Sequence, residues 1–471
     1  MRNTLLILGI FSLSFAQENL QELRRQLEEQ RRLIRELEKK IETLEKSQQA
    51  KPEVKETTRP SPADRSLQLR SKFEDRLKAY QVSPFKQTAF LPDISFILDF
   101  SAVGRNRKDE EYKELKIPRL WHRHDDEHGH GLLNERRGFN LNYGELYLYA
   151  PVDPYFDLYA TIPFSEDGAK VEEAYAVTRG LPGGFQLKVG KFRSSFGRLN
   201  AQHPHAWDFA HQPLPNKVFL GDDGLVEKGI GINWLAPTPF YLLLGAEVLQ
   251  GENEQSFGYK GFEIEDPNTH NTFKVEDKPV PNLYLGYVKT SFDLGNLSLL
   301  AGLSYAQGKH RHAHDDHGLD AKTKLYGLDL TARYQIDSVR YIALQGEYMF
   351  RDQDGTEYEF ENGGLEQKGV NKKQSGFYAQ LVGRFHKQWR AGLRYELINK
   401  NDVKVGGNKV STPDNLPAYY AMIEYSPTEF SRIRLQVGEN RAFYENGKRK
   451  PVKEVILQFN FAIGAHGAHP F

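Results

Sequence analysis

Pro451–Phe471 reads PVKEVILQFNFAIGAHGAHPF. Val455, Leu457, Phe459, Phe461 and Ile463 fall on one side of this stretch, and Ile456, Gln458, Asn460 and Ala462 on the other. Successive side chains of an extended chain point to opposite faces. A period of two therefore predicts a β-strand with one apolar and one more polar face. Two settings accept such a strand: the last strand of a soluble β-domain, or the closing strand of a barrel in lipid. The rest of the chain decides between them.

Composition narrows the choice. The 471 residues have a negative mean hydropathy, yet carry 24 Tyr, 29 Phe and 40 Gly, many at strand-like spacing. A membrane barrel meets both conditions, because only alternate residues face lipid and no long apolar run is needed. After the N-terminus no segment reaches the roughly 20 apolar residues of a membrane helix. Zero formal net charge argues against nucleic acid as a partner. Cysteine is absent, which excludes disulfides and thiolate metal sites.

Residues 1–16 have the form of a signal peptide, with Arg2 as the positive end, an apolar core over Leu5–Phe11, and Ser14-Phe15-Ala16 as a cleavage site. Over 17–50 the pattern becomes a heptad carried by Leu20, Leu23, Leu27, Gln30, Ile34, Leu37, Ile41 and Leu44. A single helix cannot bury that seam. It predicts an α-helical coiled coil and hence a homo-oligomer, the alternative being a helix docked back on its own barrel. Residues 51–66 are a charged linker with three prolines. Residues 67–91 form a connection in which Leu69, Phe73, Leu77 and Tyr80 make a short amphipathic stripe.

From residue 92 to 471, alternating segments recur. They begin near Asp93, Gly138, Tyr155, Lys170, Gly184, Lys228, Phe240, Asn282, Leu297, Lys322, Val339, Lys373, Trp389, Ala418, Phe430 and Val452. That is about 16 strands, an even number as bacterial barrels require. The connections alternate between tight turns, such as Pro151–Pro154, Asp293–Asn296 and Lys387-Gln388, and long loops near 105–136, 193–227, 251–280, 308–321, 352–372, 400–416 and 441–450. Only the connection near Ser165–Ala169 breaks the alternation. Turns on one rim and loops on the other describe an all-β transmembrane barrel of antiparallel strands; a soluble sandwich has no reason to sort its loops. The register puts the N-terminal helix and Phe471 on the periplasmic side; a terminal aromatic strand of this kind resembles the closing strand of bacterial outer-membrane barrels, which implies Phe471 as the signal for barrel-assembly machinery. Within strands, Ala391, Leu393, Tyr395 and Leu397 oppose Arg390, Arg394 and Glu396. Such charges suit a wet lumen and would be costly toward lipid. Arg is in excess in that lining, which points to mild anion preference.

Two features carry candidate sites. The loop within Lys191–Phe219 is rich in aromatic and charged residues, and Arg193, Arg198, His203, His205 and Asp208 could form a pore constriction if it folds inward. Packing over the barrel mouth or a neighbouring protomer is the alternative. The second feature is a pair of histidine-rich stretches: His122, His124, Asp125, Asp126, His128 and His130 in one, and His310, His312, His314, Asp315, Asp316 and His317 in the other. Together they hold eight of the 15 histidines. Imidazole and carboxylate suit Zn²⁺ or another divalent metal, so both stretches are candidate metal binders on external loops, the alternative being solvated polar loops. No resident cofactor is required. Ser194, Ser195, His203 and His205 lack the spacing of a hydrolase, so enzymatic activity is not expected.

The runs Glu172-Glu173-Ala174-Tyr175, Leu181-Pro182-Gly183-Gly184, Lys188–Arg193, Phe196–Asn200, His203–Trp207 and Trp234–Pro239, with the tail Gly464–Phe471, resemble porin-like outer-membrane proteins often labelled zinc-regulated, some of them TonB-dependent, receptors. The resemblance covers roughly 171–250 and the C-terminus. It implies an outer-membrane barrel with a role in zinc supply. A TonB-dependent receptor has a plug domain before a 22-strand barrel, and 67–91 leaves no room for one. A coiled coil ahead of a barrel is similar instead to trimeric phosphate-selective-type porins, which implies a trimer. The expected function is passive diffusion of small solutes across the bacterial outer membrane, with the coiled coil in the periplasm; the competing one is a structural anchor.

Overall fold

The alternating segments pair with their neighbours in chain order, and the last returns to the first. The computed structural model describes residues 92–122, 133–166, 168–314, 317–361 and 364–464. The expected signal peptide, coiled coil, linker and connection (1–91) and the terminal Phe471 lie outside the described residues, as do 123–132, Asp315 and Asp316.

Sixteen long strands form one closed antiparallel barrel among the described residues. They are β1 (Asp93–Arg105), β2 (Gly138–Pro151), β3 (Phe156–Ser165), β4 (Glu173–Thr178), β5 (Phe185–Arg193), β6 (Val226–Leu235), β7 (Tyr241–Leu249) and β8 (Leu283–Leu294). The second half is β9 (Leu297–His314), β10 (His317–Gln335), β11 (Tyr341–Glu361), β12 (Gly364–His386), β13 (Trp389–Ile398), β14 (Leu416–Thr428), β15 (Ser431–Asn440) and β16 (Val452–Gly464). Closure is made by β1, which pairs with β16 from Ser95↔Gly464 to Arg105↔Glu454 and with β2 on its other edge. Among the described residues each of the sixteen strands is paired on both sides, which is what a sheet in lipid requires.

The alternation is realised as expected. Leu393, Leu435, Val455 and Ile463 point outward and are exposed, while Arg394, Glu396, Arg434, Gln436 and Gln458 point inward and are buried. Aromatic pairs ring the turn side: Phe185–Trp234, Phe240–Phe292 and Trp389–Tyr425, with centroids 6.1, 5.2 and 4.8 Å apart. A second outward row holds Tyr305, Tyr326, Phe350, Phe377, Tyr395 and Tyr419, linked by contacts such as Tyr305–Tyr326 at 5.0 Å and Tyr395–Tyr419 at 5.3 Å. Most of that row sits about nine residues from the turn ends of its strands, roughly 30 Å along a strand and roughly 23 Å along the axis at a tilt of about 40°. The apolar band between the rows has the height of a barrel's lipid belt, about 25 Å.

Turns close on short polar caps. Asp153 Oδ1 accepts from the backbone N–H groups of Tyr155 (2.7 Å) and Phe156 (2.9 Å), and Asp337 Oδ1 does the same for Val339 (2.9 Å) and Arg340 (2.7 Å).

Two expected loops are strand instead. The stretches 308–321 and 352–372 continue β9 to β12 as paired ribbons, in register out to His314↔His317 and Glu361↔Gly364. These strands run 18, 19, 21 and 23 residues. A lipid-crossing strand needs only about 9–11, so they rise beyond the belt. There the outward face carries Lys322, Asp354 and Lys373, all exposed. Outside lipid both faces accept charge, so the contrast that marks a strand in sequence fades.

Candidate functional site

The loop from β5 to β6 (194–225) enters the barrel. Ser194 Oγ donates to Glu247 of β7 (2.7 Å), the backbone N–H of Gly197 donates to Ser304 of β9 (3.0 Å), and that of Leu199 donates to Glu347 of β11 (2.8 Å). Farther on, His203 meets Glu173 of β4 at 2.8 Å, and Asp208 accepts from Gln380 of β12 (2.9 Å) and pairs with Arg390 of β13 (2.8 Å). The Trp207 carbonyl accepts from Arg434 of β15 (2.7 Å), and the Ala210 N–H donates to Gln436 of the same strand (2.8 Å). Partners on strands all round the ring are possible only for a segment that crosses the lumen. Of the two placements open from sequence, the inward one is found.

Local sequence explains the path. Gly197 has φ +62°, and a Cβ there would lie 2.3 Å from Glu347 Oε2, so the turn that meets this carboxylate needs glycine. Pro204 opens a single turn of 3-10 helix between His203 and Trp207, and Pro213 and Pro215 flank the start of α1 (Leu214–Leu220). Leu214, Val218, Phe219 and Leu220 of α1 are fully buried. They join Ile117 and Trp121 of the first loop, Phe257 of the fourth and Phe443 of the eighth in one apolar core at the loop side of the lumen.

The five residues expected at a constriction divide into three settings. Arg193 is buried against Glu172 and donates to the Asp223 carbonyl (2.9 Å), so it holds the loop's base. Arg198 and Asp208 sit along the loop among wall charges: the Arg198 N–H donates to Glu347 (3.3 Å), and Asp208 joins Arg390, which also pairs with Glu424. His203 and His205 stack at 5.6 Å between centroids beside Glu145 of β2. Burial draws the His203 imidazole pKa down, but Glu145, Glu172 and Glu173 outweigh it and hold the pKa well above the usual range. His211, also in the loop, is held well below that range by burial and by Arg394, Lys217, Arg105 and Arg434.

Of the histidine-rich stretches, His124, Asp125, Asp126, His128, His130, Asp315 and Asp316 lie outside the described residues, and for His122 and His314 only the backbone is placed. The expected external loop around His310 is corrected to strand. His310 points inward and is buried, its Nε2 donating to the Glu254 carbonyl (2.8 Å) and its Nδ1 accepting from Gln353 Nε2 (2.9 Å). Neither nitrogen is left for a metal bond in this arrangement. His312 stacks on it at 6.3 Å, and His317 pairs with Glu359 at 2.7 Å.

Sequence reading placed Glu396 in the lumen but missed the other inward glutamates, Glu145, Glu247, Glu347 and Glu424; all five are buried on strands. Their signal was present as an acid on the polar face of an alternating segment, but the partners of Glu145, Glu247, Glu347 and Glu396 lie far along the chain in the third loop, while Glu424 pairs with Arg390 and Arg434 on neighbouring strands.

A protein of Aquifex aeolicus (strain VF5), described as an uncharacterized protein, is 63% identical over 480 residues, covering 100% of both chains. The chain belongs to the same family as this Aquifex protein. No family model matches. Solved structures with a similar outline include the outer membrane channel DcaP of Acinetobacter baumannii, with TM-score 0.47 and 10% identity over 80% of this chain and 99% of that one. The trimer form of OmpT of Vibrio cholerae has TM-score 0.47 and 11% identity over 80% and 100%. An anion-selective porin from Comamonas acidovorans has TM-score 0.45 and 12% identity over 79% and 100%.

Proposed function

We propose that this protein is an outer-membrane channel through which small hydrophilic solutes diffuse passively, the third loop setting the constriction. The observation that carries the reading is a closed barrel with a lipid-height apolar belt, a charged lumen, and one loop strung across that lumen on side-chain hydrogen bonds. The N-terminal coiled coil lies in the periplasm and gathers protomers into a trimer, and barrel-assembly machinery reads Phe471. The stretch from His122 to His130, on the loop side, concentrates divalent metal such as Zn²⁺ at the mouth. With both ring nitrogens of His310 engaged inside the wall, that role falls mainly to the first stretch.

A second reading, a structural anchor with a blocked lumen, draws support from the apolar core of Trp121, Phe219, Phe257 and Phe443 at the loop side. Single-channel conductance of the purified protein in a planar bilayer separates the two. Steady openings support the channel; a persistently silent barrel supports the anchor. Micromolar Zn²⁺ on the loop side then tests the metal role, which predicts altered openings that are lost when His124 and His128 become Ala.

A further inference from the structure

We infer that the third loop is fastened to the barrel wall by a divalent, zinc-type cation held by Glu145, Glu172 and His203. This goes beyond diffusion through the lumen, and the site stands whether or not the barrel conducts.

The geometry is that of a ligand set. Nδ1 of His203 lies 3.5 Å from Glu145 Oε2 and 3.7 Å from Glu172 Oε2, and Nδ1 of His205 lies 3.4 Å from Glu145 Oε1. Ligand atoms about 2.0–2.2 Å from a tetrahedral ion are about 3.3–3.6 Å from one another. One ligand atom each from Glu145, Glu172 and His203 falls within 4.8 Å of the others. Nδ1 of His203 is buried and makes no hydrogen bond of normal geometry, although it faces both carboxylates.

The surrounding groups fit the same role. Nε2 of His203 meets Glu173 Oε2 at 2.8 Å, the carboxylate–histidine pairing that fixes the tautomer of a metal-bound imidazole. The other oxygen of Glu172 is taken by Arg193, leaving Oε2 turned to the histidine. With neutral imidazoles, three carboxylates and one guanidinium leave two negative charges, which one divalent cation cancels. One imidazole nitrogen with two carboxylate oxygens, a three-residue set that leaves one position open, suits Zn²⁺ better than Mg²⁺ or Ca²⁺, which prefer all-oxygen shells. A cavity of about 130 Å³ bordered by Glu145, Glu172, Arg193, Pro204 and Trp207 adjoins the two carboxylates.

The ligands come from β2, from the edge of β4, and from the third loop just before Pro204. Binding therefore ties the loop to one wall of the barrel, so that zinc supply sets how firmly the constriction is held.

The test uses the full-length protein in detergent, stripped with a chelator and titrated with Zn²⁺ against a fluorescent competitor. A site that Mg²⁺ does not displace is expected, and Co²⁺ in its place should show the visible bands of a tetrahedral ion. Glu145→Gln and His203→Gln should abolish that site, and Glu173→Gln should weaken it about 10- to 100-fold. The site should persist when His124, His128 and His130 become Ala. Loss of heat-modifiable migration identifies any variant that fails to fold, and the neutral isostere Glu145→Gln is then the deciding one. Unchanged zinc stoichiometry and affinity in folded Glu145→Gln and His203→Gln overturn the site. A barrel that binds zinc there but never opens refutes the channel and leaves the site intact.

Discussion

Glu347→Ala should release the segment of the third loop that crosses toward β11. Glu347 Oε1 accepts from the Leu199 N–H (2.8 Å) and the Tyr378 hydroxyl (2.7 Å), and Oε2 from the Arg198 N–H (3.3 Å). The side chain is buried, so truncation strands three donors away from bulk water. A buried donor without an acceptor costs about 1–3 kcal/mol. Water admitted by the smaller side chain recovers part of this, so the lower end applies and the loss should be about 3 kcal/mol. Glu347→Gln keeps one acceptor oxygen and should cost about half as much on the same basis. Urea unfolding of the folded barrel in micelles gives the stability change, and limited proteolysis within 194–225 reports release of the loop. The Ala variant should be cut faster and, in bilayers, show larger or noisier openings. A loss below about 1 kcal/mol, less than one stranded donor, with cleavage like wild type would refute the view that this carboxylate anchors the loop.

Further outcomes are expected. Gly197→Ala places a Cβ 2.3 Å from Glu347 Oε2 at φ +62°, so it should destabilise more than Gly406→Ala, where φ is +57° but nothing lies within 4 Å; chemical denaturation compares them. Leu393→Arg puts a charge on an outward position, 61% exposed, midway up the belt, and should cost about 2–4 kcal/mol of folding stability in lipid vesicles. His211 is buried beside Arg394 and Arg434, with Glu454 at 3.9 Å, and is held neutral. Its pKa is lower folded than unfolded, so below about pH 6.5 the unfolded chain takes up a proton that the folded chain refuses. Stability should therefore fall with acid by up to about 1.4 kcal/mol per pH unit, and His211→Asn should flatten that slope between about pH 6.5 and 5.

Legibility followed the physics of each region. Strands within the lipid belt were readable because lipid forbids charge on one face while water in the lumen favours it on the other. Expected starts at Asp93, Gly138, Leu297, Trp389 and Val452 coincide with the observed ones. The largest errors were at β10 and β12, expected near Lys322 and Lys373 but beginning at His317 and Gly364. Their loop-side halves stand above the belt, where no solvent contrast imposes a pattern, and the histidines at 310 and 312 looked like loop composition for that reason.

The sequence by itself determined the barrel, its strand number, the sorting of turns from loops, and which face of each strand meets lipid. All of these follow from side-chain alternation, which is local. Tertiary structure alone decided where the third loop goes and what its residues touch. Glu145 and His203, or Glu347 and Leu199, are 58 and 148 residues apart, and nothing in their local sequence relates them. Only closure of the sheet into a ring brings Glu145, Glu247, Glu347 and Glu396 within reach of one loop, turning scattered polar-face glutamates into the frame that holds it.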